Sequence, residues 1–224
     1  MSWDPVWEDI FRQRASWGKY PGEEFIRFIA PRFYGAPDRG RVAMLELGCG
    51  PGGGPGWYLA REGFNYHGLD ASPTALAKGR ARFAEEGLPG RFVRGFFDQL
   101  PFADASFDCV YDVAALQCNA QDDARRIVAE VLRVLKPGGW HFSFTAMAGC
   151  LGDGEGERLD PLTLRNVSVG PFAGMGVMRF ATRESLLALY ARFEDLDLGY
   201  TIRSLPRGAG EIRDWVVSCR KKEG

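Results

Sequence analysis

Apolar and polar positions follow two rhythms along the chain. From about residue 40, short apolar runs suited to strands buried on both faces, "RVAMLEL" (41–47), "FNYHGLD" (64–70), "RFVRG" (91–95), "FDCVYDV" (107–113) and "GWHFSFTA" (139–146), alternate with stretches of helical spacing. Helices are predicted over 53–62, 72–87 and 120–136. The second opens with Ser72 as N-cap and Pro73 at the first helical position, and Gly87 stops it. Strands interleaved with helices in this way predict βαβ units and a parallel sheet. Before this core, "DPVWEDIFRQRASW" and "GEEFIRFIAPRFYG" read as amphipathic helices joined by "GKYPG", with Pro31 expected to kink or shorten the second. After it, residues 147–176 hold seven glycines and little periodicity, which predicts a long mobile loop or lid. A helix over "TRESLLALYARF" and two strands, "EDLDLGYTIRSL" and "EIRDWVVSCRK", close the chain. A single domain over 1–224 is expected, made of a helical cap (1–40), a core (41–146), a substrate loop or lid (147–180) and C-terminal elements (181–224).

Composition narrows the class. The chain has 28 Lys and Arg against 29 Asp and Glu, so no overall positive field favours nucleic acid as the main partner. No run approaches the length of a membrane span and the N-terminus lacks the pattern of a signal peptide, so a soluble cytoplasmic protein is expected. The five cysteines are odd in number and form no C-x-x-C pair. They suit reduced thiols, and no metal site is expected. His67 and His141 both fall inside predicted strands, where packing is the simpler role.

Six glycines between Gly48 and Gly56 follow the first apolar run, and Asp70 ends the next one. "GCGPGG" formally satisfies a dinucleotide loop, and Asp70 stands where an acid grips ribose hydroxyls. The logic is shared by several nucleotide-type cofactors: bare backbone admits the ligand, and the carboxylate accepts bonds from the ribose. Glu46 argues against a pyrophosphate, which it would repel, and for a ligand carrying an ammonium group.

In combination, "ELGCGPG", Asp70, "LPFADASFD" (100–108) and "LKPGG" (135–139) resemble the class I S-adenosylmethionine-dependent methyltransferases, most closely the small-molecule branch with a type 11 methyltransferase domain. The specific motifs cover 41–146, and the resemblance is looser beyond. It implies a Rossmann-like α/β fold: a seven-stranded, mostly parallel sheet with the last strand antiparallel and helices on both faces. It also implies S-adenosylmethionine as cofactor, S-adenosylhomocysteine as product, and no metal. Carried over residue by residue, Gly48, Gly50 and Gly52, with Cys49 in the same loop, pass under the methionine part and ribose. Glu46 lies near the amino group, Asp70 holds the ribose beside Ala71 and Ser72, and Asp112, Val113 and Gln117 line the methionine portion and face the acceptor. Relatives carry an adenine-binding Asp where Phe96 stands. Asp98 is the substitute expected here, or else an aromatic ring, Phe96 or Phe97, packs on the adenine face.

The acceptor is less legible. Should a hydroxyl be methylated, Asp112 or a group from the glycine-rich segment 147–176 is the candidate base, because Cys118 occupies the position where many relatives carry a His. Trp17 and Tyr20 between the first helices, and Arg158 and Arg165 in the glycine-rich segment with Phe172 and Met175, are candidate acceptor contacts. A small or medium organic acceptor with an oxygen or nitrogen nucleophile is expected, and the spacing leaves monomer and homodimer open. Two other readings stand beside methyl transfer: a non-catalytic adenosyl-binding module and, less in keeping with Glu46 and "LKPGG", a nicotinamide-dependent oxidoreductase.

Overall fold

The computed structural model describes residues 3–14 and 18–223. Two helices, α1 (Val6–Gln13) and α2 (Glu23–Phe33), precede an alternating core. It runs β1 (Ala43–Leu47), α3 (Gly54–Arg61), β2 (Asn65–Asp70), α4 (Pro73–Glu85), β3 (Arg91–Arg94), β4 (Phe107–Val113), α5 (Gln121–Val134) and β5 (Leu135–Ala146). There follow β6 (Glu157–Asp160), β7 (Thr163–Arg165), β8 (Val177–Arg179), α6 (Arg183–Leu189), β9 (Glu194–Ser204) and β10 (Glu211–Arg220). The main sheet is seven-stranded in the order β3-β2-β1-β4-β5-β10-β9. β3, β2, β1, β4 and β5 are parallel, and β10 runs antiparallel to both its neighbours, as expected.

The unbroken apolar runs are explained by burial on both faces. All five residues of β1 are inaccessible, with Leu45 and Leu47 packed towards Ile127, Val131 and Leu186 of α5 and α6, and Met44 towards Phe25 and Leu59 of α2 and α3. Ser72 caps α4 by accepting from the Ala75 amide at 3.0 Å. Pro31 does not end α2, which continues to Phe33. It sits in the last turn, where one lost amide bond matters little, and the Tyr34 amide still reaches the Ala30 carbonyl at 3.2 Å. Lys136 to Gly139 form a bulge at the start of β5, where the register against β4 shifts and Gly138 takes φ +73°.

The expectation of a mobile loop over 147–176 is corrected. The segment contributes β6 and β7, which pair with β8 just beyond it in a three-stranded antiparallel sheet over a core of Cys150, Leu164, Val167, Phe172, Met178 and Phe180. Its apolar residues are too dispersed to show a period, and its glycines make the turns. Ala148 and Ala181 bond across to tie this small sheet to the carboxyl end of β5. None of the described helices is long and apolar enough to cross a membrane.

Candidate functional site

A cavity of 320 Å3 opens at the carboxyl ends of β1 and β4, where ligands bind in open α/β sheets. Its floor is the turn from β1 into α3. Gly48 and Gly50 adopt φ +72° and +51° there, a region that costs other residues strain. At Gly48 the requirement is also spatial: a Cβ would lie 2.5 Å from the Cβ of Ala115. Asp70 enters from the end of β2. Its Oδ2 accepts from the Gly50 amide and its Oδ1 from the Ser72 amide, both at 2.9 Å, so the carboxylate locks the loop while facing the cavity. Burial pushes its pKa up to about 6, against the pull of those amides.

Glu46 lines the same floor and is 4% exposed. Its Oε2 accepts hydroxyl bonds from Tyr66 at 2.7 Å and Tyr111 at 3.3 Å. Burial outweighs both and pushes the pKa up to about 8, with the neighbouring Asp70 and Asp112 adding to the rise. Glu46 is therefore a protonated acid at neutral pH, ready to ionise when a cation arrives beside it.

Of the expected residues, the cavity wall brings together Glu46, Gly48, Cys49, Gly50, Asp70, Phe97, Val113 and Gln117. Others lie elsewhere. Gly52 turns away: a Cβ on it would meet Gly79 of α4 at 3.2 Å, so its bare backbone serves helix packing. Ala71 is buried behind Asp70, and the Ser72 hydroxyl is taken by Glu8 and the α4 cap. Phe97, not Asp98, turns into the cavity, its ring 3.3 Å from where a Cβ on Gly48 would stand. Asp112 is wholly buried and does not line the cavity; Oδ1 accepts from the amides of Ala115 at 3.1 Å and Leu116 at 2.9 Å. It shapes the turn after β4 and is not positioned to touch an acceptor. Tyr20 is 75% exposed and packs edge-on against Trp57 at 5.3 Å, away from the cavity. Arg158 donates to the Pro161 carbonyl at 2.9 Å, and Arg165 is exposed on β7; neither reaches the site. Trp17 lies outside the described residues. Phe172 and Met175 do line it, together with Pro171. His141 is buried beside the Val110 carbonyl, with its pKa pushed down to about 4 by burial, and neither His67 nor His141 lines the cavity.

The outer wall was not foreseen. Trp3, Asp4, Trp7 and Phe11 of the N-terminal segment cover the mouth. Trp3, Trp7 and Phe11 recur every four residues and share one helical face, which was the available signal. What a single helix cannot say is where that face docks. Contacts with α4 decide it: Glu8 accepts from the Ser72 hydroxyl and, at 2.5 Å, from the Thr74 hydroxyl, while Lys78 reaches the Phe11 carbonyl at 2.6 Å and the Arg14 carbonyl at 2.8 Å at the other end of α1. Asp4 accepts from the Val6 amide at 3.1 Å and the Val177 amide at 3.3 Å, joining α1 to the small sheet. Among the described residues no group of three His, Cys, Asp or Glu side chains gathers as a metal-ligand set.

Residues 44–139 match the family described as a methyltransferase domain. Over this stretch the chain is similar to the class I S-adenosylmethionine-dependent methyltransferases. The stretch that matches the family model contains the first two strands, the glycine turn, Asp70 and the turn after β4. Over 105 residues, 46% of its length, the chain is 43% identical to the phthiotriol/phenolphthiotriol dimycocerosates methyltransferase of Mycobacterium tuberculosis. It spans only 37% of that relative, so the likeness is one of cofactor domain and not of whole protein. In fold it resembles a SAM-dependent methyltransferase from Methanosarcina mazei, with TM-score 0.71 and 22% identity over 93% of this chain and 100% of that one. It also resembles the [4+2]-cyclase SpnF, with TM-score 0.66 and 19% identity over 98% of this chain and 94% of that one, a case where the same fold carries the name of another reaction. Fold alone does not fix the reaction; the chemistry resides in the cavity itself.

Proposed function

We propose that the protein transfers a methyl group from S-adenosylmethionine to an oxygen or nitrogen atom of a small or medium organic acceptor with an apolar or aromatic body, by direct in-line displacement. The observation that carries this reading is two buried carboxylates, Glu46 and Asp70, converging on one bare-backbone turn inside a cavity of 320 Å3, a volume typical of small-molecule sites. The residues present fit an adenosyl ligand. Each Asp70 oxygen uses one lone pair on an amide and keeps another for a ribose hydroxyl. Phe97 offers a flat apolar surface for a base, and Glu46 supplies the counter-charge for an ammonium group.

When bound, S-adenosylmethionine supplies a methyl already activated on a sulfonium sulfur. The chain's own task is to align the acceptor and exclude water. Trp3, Trp7, Pro171, Phe172 and Met175 form an apolar wall suited to that, and favour an acceptor of matching character. With Asp112 buried, Asp4 is the lining carboxylate outside the glycine-turn half, placed to take a proton from a hydroxyl acceptor.

Calorimetric titration with S-adenosylmethionine, S-adenosylhomocysteine and NAD tests the reading. Micromolar binding of the adenosyl ligands, lost in Asp70→Ala, with NAD inert, is expected. Binding of NAD instead would favour the oxidoreductase. Adenosyl binding without turnover against a panel of phenolic and amine acceptors would favour the binding module, for which the absence of Asp98 from the cavity is the supporting feature.

A further inference from the structure

The largest fully buried side chain among the described residues is charged. Arg179, at the end of β8, is 0% exposed, and its Nε, Nη1 and Nη2 all lack a hydrogen-bond partner. A guanidinium cannot shed its proton in a protein interior, and one without water or partners is among the costliest groups to bury. Other buried polar atoms share its condition. Asp112 Oδ2, Ser143 Oγ, Thr145 Oγ1 and Thr163 Oγ1 have no partner either. Asp112 and Ser143 are register partners on β4 and β5, Thr163 and Arg179 are register partners on β7 and β8, and β8 packs against the turn Leu116–Cys118 that Asp112 braces. Donors and acceptors thus surround one place at the junction of the small sheet and β4 and β5. Arg179 and Asp112 share no direct hydrogen bond, so a bridge between them requires an intermediary that both donates and accepts, as a water molecule does.

We propose that Arg179 and Asp112 form a buried, water-bridged ion pair and that Arg179 is a positioning residue for the wall of the cofactor cavity. The route is short. Asp112 Oδ1 holds the amides of Ala115 and Leu116. That turn includes Ala114 at φ +64°, a conformation that only surrounding bonds sustain. Val113, Ala114, Ala115, Gln117, Cys118 and Asn119 then form one side of the cavity. Gln117 Oε1 accepts from the Ala146 amide at 2.6 Å, fastening the same turn to β5. The small sheet therefore reaches the cofactor wall through a charge, without a residue of β6, β7 or β8 entering the cavity.

The test is a double-mutant cycle on the full chain, with Arg179→Met, Asp112→Asn and the double variant, plus Arg179→Lys. Asparagine keeps an oxygen for the two amides and removes only the charge. Thermal unfolding and S-adenosylhomocysteine affinity are both read. Removing one member of the pair leaves a bare buried charge, so each single variant is expected to unfold about 10 °C lower. The double variant is expected to lose no more than either single, and Arg179→Lys to retain most of the stability. Affinity should fall about tenfold in Arg179→Met and recover in Arg179→Lys, a pattern that simple packing does not produce because methionine fills similar space. Arg179→Met unfolding at or above the wild-type temperature would overturn the proposal, as would single losses that add in the double variant. If the singles fail to fold, a folded double variant supports the pair and an unfolded one refutes it. The affinity arm rests on the adenosyl reading and the thermal arm does not. A wild-type protein that ignores S-adenosylhomocysteine would count against that reading, while the unfolding cycle still decides the ion pair.

Discussion

Two stretches of this chain are rich in glycine, 48–56 with six and 147–176 with seven, and they have opposite characters. The first is buried beneath a cavity. Gly48, Gly54 and Gly56 each have a neighbour within 2.5 Å of where a Cβ would be, so close approach demands the bare backbone there, and at Gly48 φ demands it as well. The second is a set of turns between short strands. Gly154 and Gly174 take φ +94° and +74° with nothing within 4 Å. Glycine content does not distinguish the two; the flanks do. An apolar strand before, a helix after and an acid at the end of the next strand make the first a ligand turn. The second has only dispersed apolar residues that close over each other.

The contrast can be broken at its strongest point by Gly48→Ala. The methyl would clash with Ala115 in a left-handed backbone, so a loss on the order of 3 kcal/mol in unfolding free energy and loss of adenosyl binding are expected, read by denaturant unfolding and calorimetry. Asp70→Ala should weaken S-adenosylhomocysteine at least about a hundredfold, or roughly 2.7 kcal/mol, because it removes both the ribose acceptor and the brace on Gly50. Binding unchanged in that variant would remove the ligand-turn reading of the first stretch.

Glu46 sharpens the comparison through pH. Its pKa is about 8 in the folded chain and 4.5 when unfolded, so between those values the native state holds a proton the unfolded state has lost. Stability therefore falls as pH rises through this window. From pH 6.5 to 8 the ligand-free protein should lose about 1 kcal/mol net, since the unfolded histidines, still partly protonated at the lower end, offset part of the Glu46 effect, and Glu46→Gln should abolish the fall. Binding of an ammonium-bearing ligand at pH 7 should release up to about one proton, visible as a dependence of calorimetric enthalpy on buffer ionisation. No proton release would separate Glu46 from the ligand's charge. The smallest effect belongs to the other stretch: Gly174→Ala should cost only about 1 kcal/mol, from backbone strain alone, and leave adenosyl binding intact.

Local pattern and spacing determined a good deal. Buried parallel strands announce themselves as unbroken apolar runs, caps and stops such as Ser72 and Gly87 act within a few residues, and the order of Glu46, the glycines and Asp70 follows from one strand-turn-helix unit and the strand after it. These features are local, so a linear reading reaches them. Tertiary structure alone decided the rest. Asp112 reads as a site acid at a strand end, yet the turn after β4 folds over it and turns it into a brace. Phe97 and Asp98 are neighbours in sequence, and only the loop geometry selects the ring for the cavity. Trp3, Trp7 and Phe11 form a visible stripe, but docking of α1 against Ser72, Thr74 and Lys78, more than 60 residues away, is what places that stripe over the mouth. No local pattern marks Arg179 for burial; it lies buried where β8 packs against the turn at Leu116–Cys118. Which face of an element meets which neighbour is a property of the assembled chain, because burial is fixed by contacts between residues far apart in sequence.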